Sequence, residues 1–273
     1  MTIMRLHVSV VTLCAVVCSA SAAVDLPWST TYDCPDWTQN VNQITCDGLS
    51  KAGGWTAQGQ PEQITADANN PCGAGGKGQR HWVQDGANQN SGGTGISFND
   101  AQPELWIRWY MRYSAGFKWA KLSYDKWLYL IHGPSPDYRN SAVPEFEYEN
   151  GTRIYAVPSH ESYRGGGGWR DTMGGPISDG QFHCYEVHLK VDANGADGIA
   201  ELWVDGNSLF SVTNANYGTH AGWTRIMIGH NQSTPDNGGP AYVDFDDIAI
   251  NSTGYIGPIP VLNAPSGLKV RPK

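Results

Sequence analysis

The sequence predicts an all-β sandwich that forms a single domain. Apolar and polar residues alternate with period two between clusters of Gly, Pro, Asn and Asp, which is the pattern of strands joined by turns. No segment keeps a helical period beyond a turn or two. About 250 mature residues can bury one large core, and all-β sandwiches often reach this length as one domain.

The clearest strand is predicted at residues 104–113. Alternation places five residues on one face: Leu105, Ile107, Trp109, Met111 and Tyr113. The other face carries Trp106, Arg108, Tyr110 and Arg112. Further strands are predicted at residues 96–98, 127–131, 145–148, 153–156, 182–191, 200–204, 225–229 and 242–250. Two Gly-rich stretches, residues 69–95 and 164–175, are predicted as surface loops that could rim a cleft.

The first 22 residues predict a signal peptide. Arg5 precedes an apolar run over residues 6–18, and Ala20-Ser21-Ala22 forms a small-residue cleavage site. We therefore expect a secreted protein, extracellular or periplasmic, whose mature chain begins near Ala23. No later stretch approaches the roughly 20 apolar residues of a transmembrane helix, so no membrane partner is expected.

Charge and cysteine content narrow the partners further. Removing the leader takes away one Arg and no acid, which leaves 17 basic and 26 acidic residues, a net charge of −9. This acidic balance disfavours nucleic acid, whose binding needs a basic surface.

Four cysteines remain in the mature chain and predict two disulfides, with Cys34–Cys46 as the natural local pair and Cys72–Cys184 as the long-range pair. Three connectivities are possible.

Aromatic content favours a polysaccharide partner. The chain has 11 Trp and 13 Tyr but only 6 Phe, and rings with a polar edge suit surfaces that stack on sugars. A large core that happens to use Trp is the alternative.

Residues 23–257 are predicted as the domain, which is expected to be a monomer. The Pro-containing residues 258–273 are predicted as a tail or linker.

Three motifs resemble those of concanavalin A-like jelly rolls. They are GQFHCYEVH at residues 180–188, AELWVDG at 200–206 and YVDFDDI at 242–248. They are most similar to motifs of polysaccharide lyases and laminarinase-type glycoside hydrolases, and the strand at residues 105–117 resembles one of alginate and glucuronan lyases. The resemblance implies a jelly-roll β-sandwich of two antiparallel sheets that binds an extended polysaccharide. Lectins share the W-x-D-G hairpin, so a non-catalytic glycan-binding module stays open.

A lyase acting on a uronic acid polymer must neutralise a carboxylate, remove a carbon-bound proton and protonate the leaving oxygen. The residues predicted for these roles are Arg108, Tyr110, Arg112, Lys126 and His132. The Leu-Ile-His run at 130–132 resembles the Gln-Ile-His strand of one alginate lyase family, with Leu130 in place of the glutamine. Further candidates are Arg80, His81, Arg153 and Tyr155. A lyase predicts that Arg108, Arg112 and His132 converge in one groove.

A retaining hydrolase is the competing interpretation. Alternation places Glu145, Glu147 and Glu149 on one strand face, where crowding would raise the pKa of one carboxyl beside an ionised partner. The pattern resembles the Glu-x-Asp-x-Glu strand of laminarinase-like hydrolases, which implies Glu145 as nucleophile and Glu149 as acid/base, with Glu147 where that family has Asp. In a lyase the same carboxylates would repel an anionic substrate unless they faced away or bound a cation.

A structural calcium ion is predicted at the last strand, with no organic cofactor. Asp244 and Asp246 are the expected ligands, since this fold class often holds calcium there and Ca²⁺ prefers carboxylate and carbonyl oxygens. Exposed edge charges that discourage aggregation are the alternative.

Overall fold

A computed structural model gives the fold. It describes residues 23–38, 44, 46–51, 62–83, 89–117, 124–132, 141–147, 153–157, 169–172, 178–194, 196–215, 217, 221–233 and 241–260. The strands are β1 (Trp28–Thr30), β2 (Trp37–Thr38), β3 (Ser50–Lys51), β4 (Gln63–Thr65), β5 (Gly78–Val83), β6 (Gln89–Gln102), β7 (Glu104–Tyr113), β8 (Tyr124–Ile131), β9 (Ser141–Glu147), β10 (Arg153–Val157), β11 (Trp169–Thr172), β12 (His183–Lys190), β13 (Gly198–Val204), β14 (Asn207–Ala215), β15 (Trp223–Ser233) and β16 (Ala241–Asn251). One 3₁₀ turn spans Ala66–Ala68.

The strands form two antiparallel sheets. The first sheet has the order β14-β13-β12-β7-β16-β5-β4-β2, and β1 also pairs with β16. The second has the order β11-β10-β9-β8-β15-β6-β3. The predicted all-β sandwich of two antiparallel sheets is confirmed. Among the described residues, no helix is long and apolar enough to span a bilayer.

The core lies between the sheets, and β7 supplies much of it. Its five predicted core residues are all buried, with exposures of 0 to 1%. Trp109 meets Trp127 of β8 in the opposite sheet with ring centroids 4.6 Å apart, and it stacks on Tyr185 of β12 at 5.8 Å. Alternation along β7 therefore predicted the core face correctly, and the polar residues of β7 lie on the outer face of the first sheet.

Several strands run through segments predicted as loops. The Gly-rich residues 69–95 contain β5 and the first part of β6, and β11 lies within residues 164–175. Glycine is disfavoured in strands, which is why the pattern indicates a loop. Tight packing explains the outcome at Gly93, where an added Cβ would lie 2.4 Å from the carbonyl oxygen of Ile228 on the neighbouring strand.

A bulge in β16 shapes the first sheet. The register with β7 shifts between Asp246 and Ala249, and Asp247 has a φ of +47°. A β-bulge inserts an extra residue into one strand of a pair and thereby bends that strand. It turns both Asp246 and Asp247 toward the loop at residues 70–74.

One predicted disulfide is confirmed and the other is wrong. Cys34 and Cys46 are bonded. Cys72 and Cys184 are free, with Cys72 exposed and Cys184 buried. Cys184 lies on β12 opposite Tyr110 of β7. The loop that carries Cys72 is instead held to Asp247, through Asn70 and the backbone N–H of Ala74.

Candidate functional site

The outer face of the first sheet carries Arg108, Tyr110 and Arg112 together, as alternation predicted. Arg112 does not face an open groove, because its Nε donates to Oδ2 of Asp244 at 2.9 Å. Arg80 of β5 binds the same carboxylate through Nε at 2.8 Å and Nη2 at 3.0 Å. Both guanidinium groups also donate to the carbonyl oxygen of Asp67. One carboxylate with no exposed surface thus holds two arginines.

Aromatic rings complete the surroundings of these arginines. The guanidinium of Arg80 lies 3.8 Å from the ring centroid of Tyr242, and that of Arg112 lies 4.5 Å from Phe182. Burial opposes the charge on Arg80, but Asp244 raises the pKa of its guanidinium above the ordinary value. These contacts are typical of a structural ion-pair network.

Residues 255–259, here called the C-terminal strap, bind Arg108, Tyr110 and Glu186 on this face. Glu186 accepts the backbone N–H groups of Ile256 at 2.7 Å and Gly257 at 2.8 Å. Arg108 donates to the carbonyl oxygen of Gly257 at 3.3 Å, and the Tyr110 hydroxyl accepts the N–H of Ile259 at 2.8 Å. The protein's own chain therefore occupies the groups that a substrate would need.

The electrostatics of this face also disfavour proton transfer. Burial raises the pKa of Tyr110 to about 12 and that of Cys184 to about 12. Burial likewise raises the pKa of Glu186, although the two strap N–H groups and Arg108 act in the opposite direction. A general base works best with a pKa near the working pH, which neither Tyr110 nor Cys184 has.

Asp244 is not suited to coordinate the predicted calcium ion. Its two oxygens accept hydrogen bonds from Arg80 and Arg112, whose positive charges would repel a divalent cation. Asp246 accepts the N–H groups of Asn70 and Asp247, one on each oxygen, and burial raises its pKa to about 8. Among the described residues, the one cluster with metal-ligand spacing is Cys34, Cys46 and Asp47, and its two cysteines form the disulfide. Calcium binding at Asp246 stays a prediction.

His132 lies on the second sheet, away from Arg108 and Arg112. It follows β8 directly, whereas the two arginines are on β7, and the Trp109–Trp127 contact of the core lies between these strands. The predicted convergence of the three residues is therefore wrong. Leu130, aligned with the glutamine of Gln-Ile-His, packs in the core, while Tyr129 and Ile131 form a separate cluster with Met227.

Strand register aligns several other predicted residues across the second sheet. Glu145 of β9 pairs with Lys126 of β8 on one side and with Tyr155 of β10 on the other. The same line continues at both ends, and we call it the polar row: Arg170, Tyr155, Glu145, Lys126, Asn231 and Ser91. Cross-strand partners occupy the same face of a sheet, so these six positions form one line.

Glu147, the next acidic residue on this face of β9, also has a basic residue as a cross-strand partner. Glu147 pairs with Arg153 on β10 and with Tyr124 on β8. Each described acidic position of β9 is thus opposite a basic one, Lys126 for Glu145 and Arg153 for Glu147. Glu149 lies outside the described residues, so the expected Glu145–Glu149 pair stays a prediction.

Sequence reasoning missed Arg225 as a site residue. It pairs with Ile131 and with Ser97 on the second sheet. The residue is half-buried, and its guanidinium lies next to Gly95. Burial alone lowers its pKa below the ordinary value. A signal was present in the predicted strand at 225–229, since Ile226 and Ile228 alternate with Arg225, Met227 and Gly229. One arginine thus stands on an otherwise apolar face.

Solved structures share the fold at low sequence identity. Cellulose-induced protein Cip1 matches with a TM-score of 0.54 at 15% identity, over 77% of this chain and 94% of that chain. An endo-β-1,4-glucuronan lyase from the fungus Trichoderma reesei matches with a TM-score of 0.43 at 14% identity, over 80% and 90%. A GH131 β-glucanase catalytic domain from Podospora anserina matches with a TM-score of 0.43 at 11% identity, over 72% and 80%.

No protein-family model matches the chain, and no curated protein sequence matches it. At these identities, the structural similarity shows the jelly-roll fold alone. The fold hosts several activities, so the site has to carry any functional argument.

Proposed function

We propose that this protein binds an acidic polysaccharide on the outer face of the second sheet and cleaves it by β-elimination. The observation that carries the proposal is the polar row, which lines up Arg170, Tyr155, Glu145 and Lys126 across four neighbouring strands. With strands about 4.8 Å apart, these four positions span about 14 Å, enough for an extended glycan to cross.

The row offers the groups that β-elimination needs. A base removes the proton on the carbon next to the sugar carboxylate, the bond to the leaving oxygen breaks as a carbon–carbon double bond forms, and an acid protonates that oxygen. Lysine and tyrosine are suitable for both proton transfers. We assign these transfers to Lys126 and Tyr155, the two partners of Glu145 in the register.

Charge balance favours a lyase over a hydrolase. Acidic side chains on β9 would repel an anionic polymer if they stood alone. Register places a basic position opposite both Glu145 and Glu147, so the local charge can be neutral or positive. A retaining hydrolase instead needs two carboxylates about 5 Å apart, one of them free to act as nucleophile.

An assay of product chemistry tests the proposal. The purified protein is incubated with alginate, glucuronan, polygalacturonate and neutral β-glucans, and ultraviolet absorbance and reducing ends are followed together. We expect both signals to rise on one of the uronans, since elimination leaves an unsaturated sugar. Reducing ends without absorbance would mean a hydrolase, and binding without either signal would mean a glycan-binding module.

Two matched variants assign the roles. Lys126→Met should lower kcat by about 100-fold or more, in the range typical of a lost general acid or base. Glu145→Gln should have a smaller effect in a lyase, because the carboxylate there balances charge. If Glu145→Gln abolished turnover while Lys126→Met did not, the hydrolase assignment would replace ours.

Secretion is part of the proposal. The Cys34–Cys46 disulfide is typical of an oxidising compartment. Expression of the full chain should give a secreted product whose N-terminus, read by sequencing, lies near Ala23. Retention of the intact chain inside the cell would contradict this.

A further inference from the structure

Arg225 is a cation for which the described part of the chain provides no counter-charge. Its Nε is buried and has no hydrogen-bond partner. No carboxylate of a described residue pairs with it, and burial is the sole cause of its lowered pKa. A buried, unpaired charge is costly, so proteins normally pair it or reserve it for a ligand.

The position of the guanidinium is set by a glycine. A Cβ at Gly95 would lie 2.8 Å from Nη2 and 3.2 Å from Nε of Arg225. The absence of a side chain at Gly95 therefore leaves room for the guanidinium. The Ser50 hydroxyl would be 3.1 Å from the same Cβ and donates to the carbonyl oxygen of Gly95.

Register relates this position to the polar row. Gly95 pairs with Met227, and Met227 pairs with Tyr129 of β8. Tyr129 is three residues from Lys126, about 10 Å along the strand. Arg225 and Asn231, a member of the polar row, are six residues apart on β15, and their register with β6 is unbroken, so both lie on the same face of the sheet. Arg225 is nevertheless beyond the reach of the sugar at Lys126.

We infer that Arg225 binds the carboxylate of a second acidic sugar, in a subsite next to the polar row, and thereby selects uronate polymers over neutral ones. This inference rests on the proposed function, which places the polysaccharide on this face. Arginine suits the role because its planar fork binds a carboxylate through two parallel hydrogen bonds. Arg80, Arg108 and Arg112 are engaged on the other sheet.

The test compares paired ligands. Oligosaccharides from alginate, glucuronan and polygalacturonate are each matched with their carboxyl-reduced neutral counterparts. Dissociation constants are measured by calorimetry in a Lys126→Met background, in which turnover should be slower by about 100-fold or more. We expect tighter binding of one uronate oligomer than of its neutral counterpart, and a loss of that preference by about 10-fold or more in Arg225→Gln. Affinity for the neutral oligomer should change less than twofold.

Further variants separate a local effect from misfolding. Arg225→Lys should keep part of the preference, because the charge remains without the planar fork. Gly95→Ala should reduce the preference with Arg225 intact, because it displaces the guanidinium. Lys77→Gln, which removes a half-buried cation paired with the exposed Asp36, is the matched control and should behave as wild type.

The outcomes distinguish the two proposals. Preference for uronate that survives Arg225→Gln, or the absence of any preference in the parent protein, would overturn the role of Arg225. Loss of preference in Arg225→Gln without any unsaturated product from the wild-type protein would keep the subsite and reject the lyase.

Discussion

The arginines on the outer faces of the two sheets differ in whether other groups of the protein bind them. On the first sheet, Arg80 and Arg112 share the Asp244 carboxylate, and Arg108 donates to backbone carbonyls of the strap and of β16. On the second sheet, Arg225 has no acceptor among the described residues. Residue type alone therefore does not mark a binding surface in this fold. What distinguishes the two faces is whether the protein itself has already neutralised the charge.

The largest expected effect is the loss of the shared carboxylate. Asp244→Asn leaves two arginines without their counter-charge, and breaking a buried ion pair in this way costs about 3–5 kcal/mol. Denaturant unfolding followed by Trp fluorescence measures the change. Asp36→Asn, which removes the charge of an exposed carboxylate paired with Lys77, is the control and should cost under about 1 kcal/mol. A similarly small loss of unfolding free energy in both variants would show that Asp244 is not the main counter-charge of the two arginines.

Detaching the strap should have the next largest effect. Glu186→Gln leaves one accepting oxygen for two N–H groups, and hydrogen bonds to a charged group are each worth about 1.5–3 kcal/mol. Hydrogen exchange at the amides of Ile256 and Gly257 should accelerate, and the free energy of unfolding should fall by about 2 kcal/mol. Unchanged exchange at both amides would mean that Glu186 does not hold the strap.

Removing the second-sheet arginine should barely change stability. Arg225→Met loses no ion pair to a described residue and relieves a desolvated charge, so the free energy of unfolding should stay within about 1 kcal/mol of wild type or rise. Arg112→Met, the matched change on the first sheet, should be clearly less stable than Arg225→Met by thermal denaturation. Equal losses would indicate that Arg225 is a structural residue.

The smallest effect is a pH dependence at His183, the first residue of β12. The Asp205 carboxylate, 2.7 Å from Nδ1, raises the pKa of His183 above its ordinary value, although burial acts against this. Burial acts to raise the pKa of Asp205, but hydrogen bonds from His183 and from the Cys184 N–H hold it below its ordinary value. NMR titration of the His183 ring should show the raised pKa, and Asp205→Asn should lower it.

The sign of the stability change follows from these directions. The His183 contribution is fully present below the unfolded-state pKa of about 6.5 and is lost as pH rises through the raised folded-state value. The Asp205 contribution is present above its unfolded-state pKa and is lost as pH falls through the lowered folded-state value. The pair therefore stabilises most between these two limits. Because both side chains are partly exposed, the effect is small.

How far the sequence predicted this protein depends on whether the evidence is local. Alternation along β7 identified both of its faces, and the spacing of Cys34 and Cys46 favoured the bond that the structure contains. The same alternation could not show that Arg112 is bound by Asp244, 132 residues away, or that the strap covers Tyr110. Such partners are decided by which strands become neighbours, and period-two patterns carry no information on strand order.

Gly-rich segments also show where a prediction from local sequence fails. Residues 69–95 indicate a loop by composition, yet β5 and the first part of β6 lie within them. At Gly93 of β6 the neighbouring strand leaves no room for a side chain. Tertiary packing overrides local propensity there.

The sequence by itself determined the all-β class and the two faces of β7, and it favoured the local disulfide. These follow from side-chain alternation and from residues close together in the chain. The tertiary structure alone decided that Arg108 and Arg112 lie on a different sheet from His132, that Lys126 pairs with Glu145, and that Arg225 remains unpaired among the described residues. The physical reason is that charges act through space, and the neighbours of each charge are set by strand order and register rather than by sequence distance.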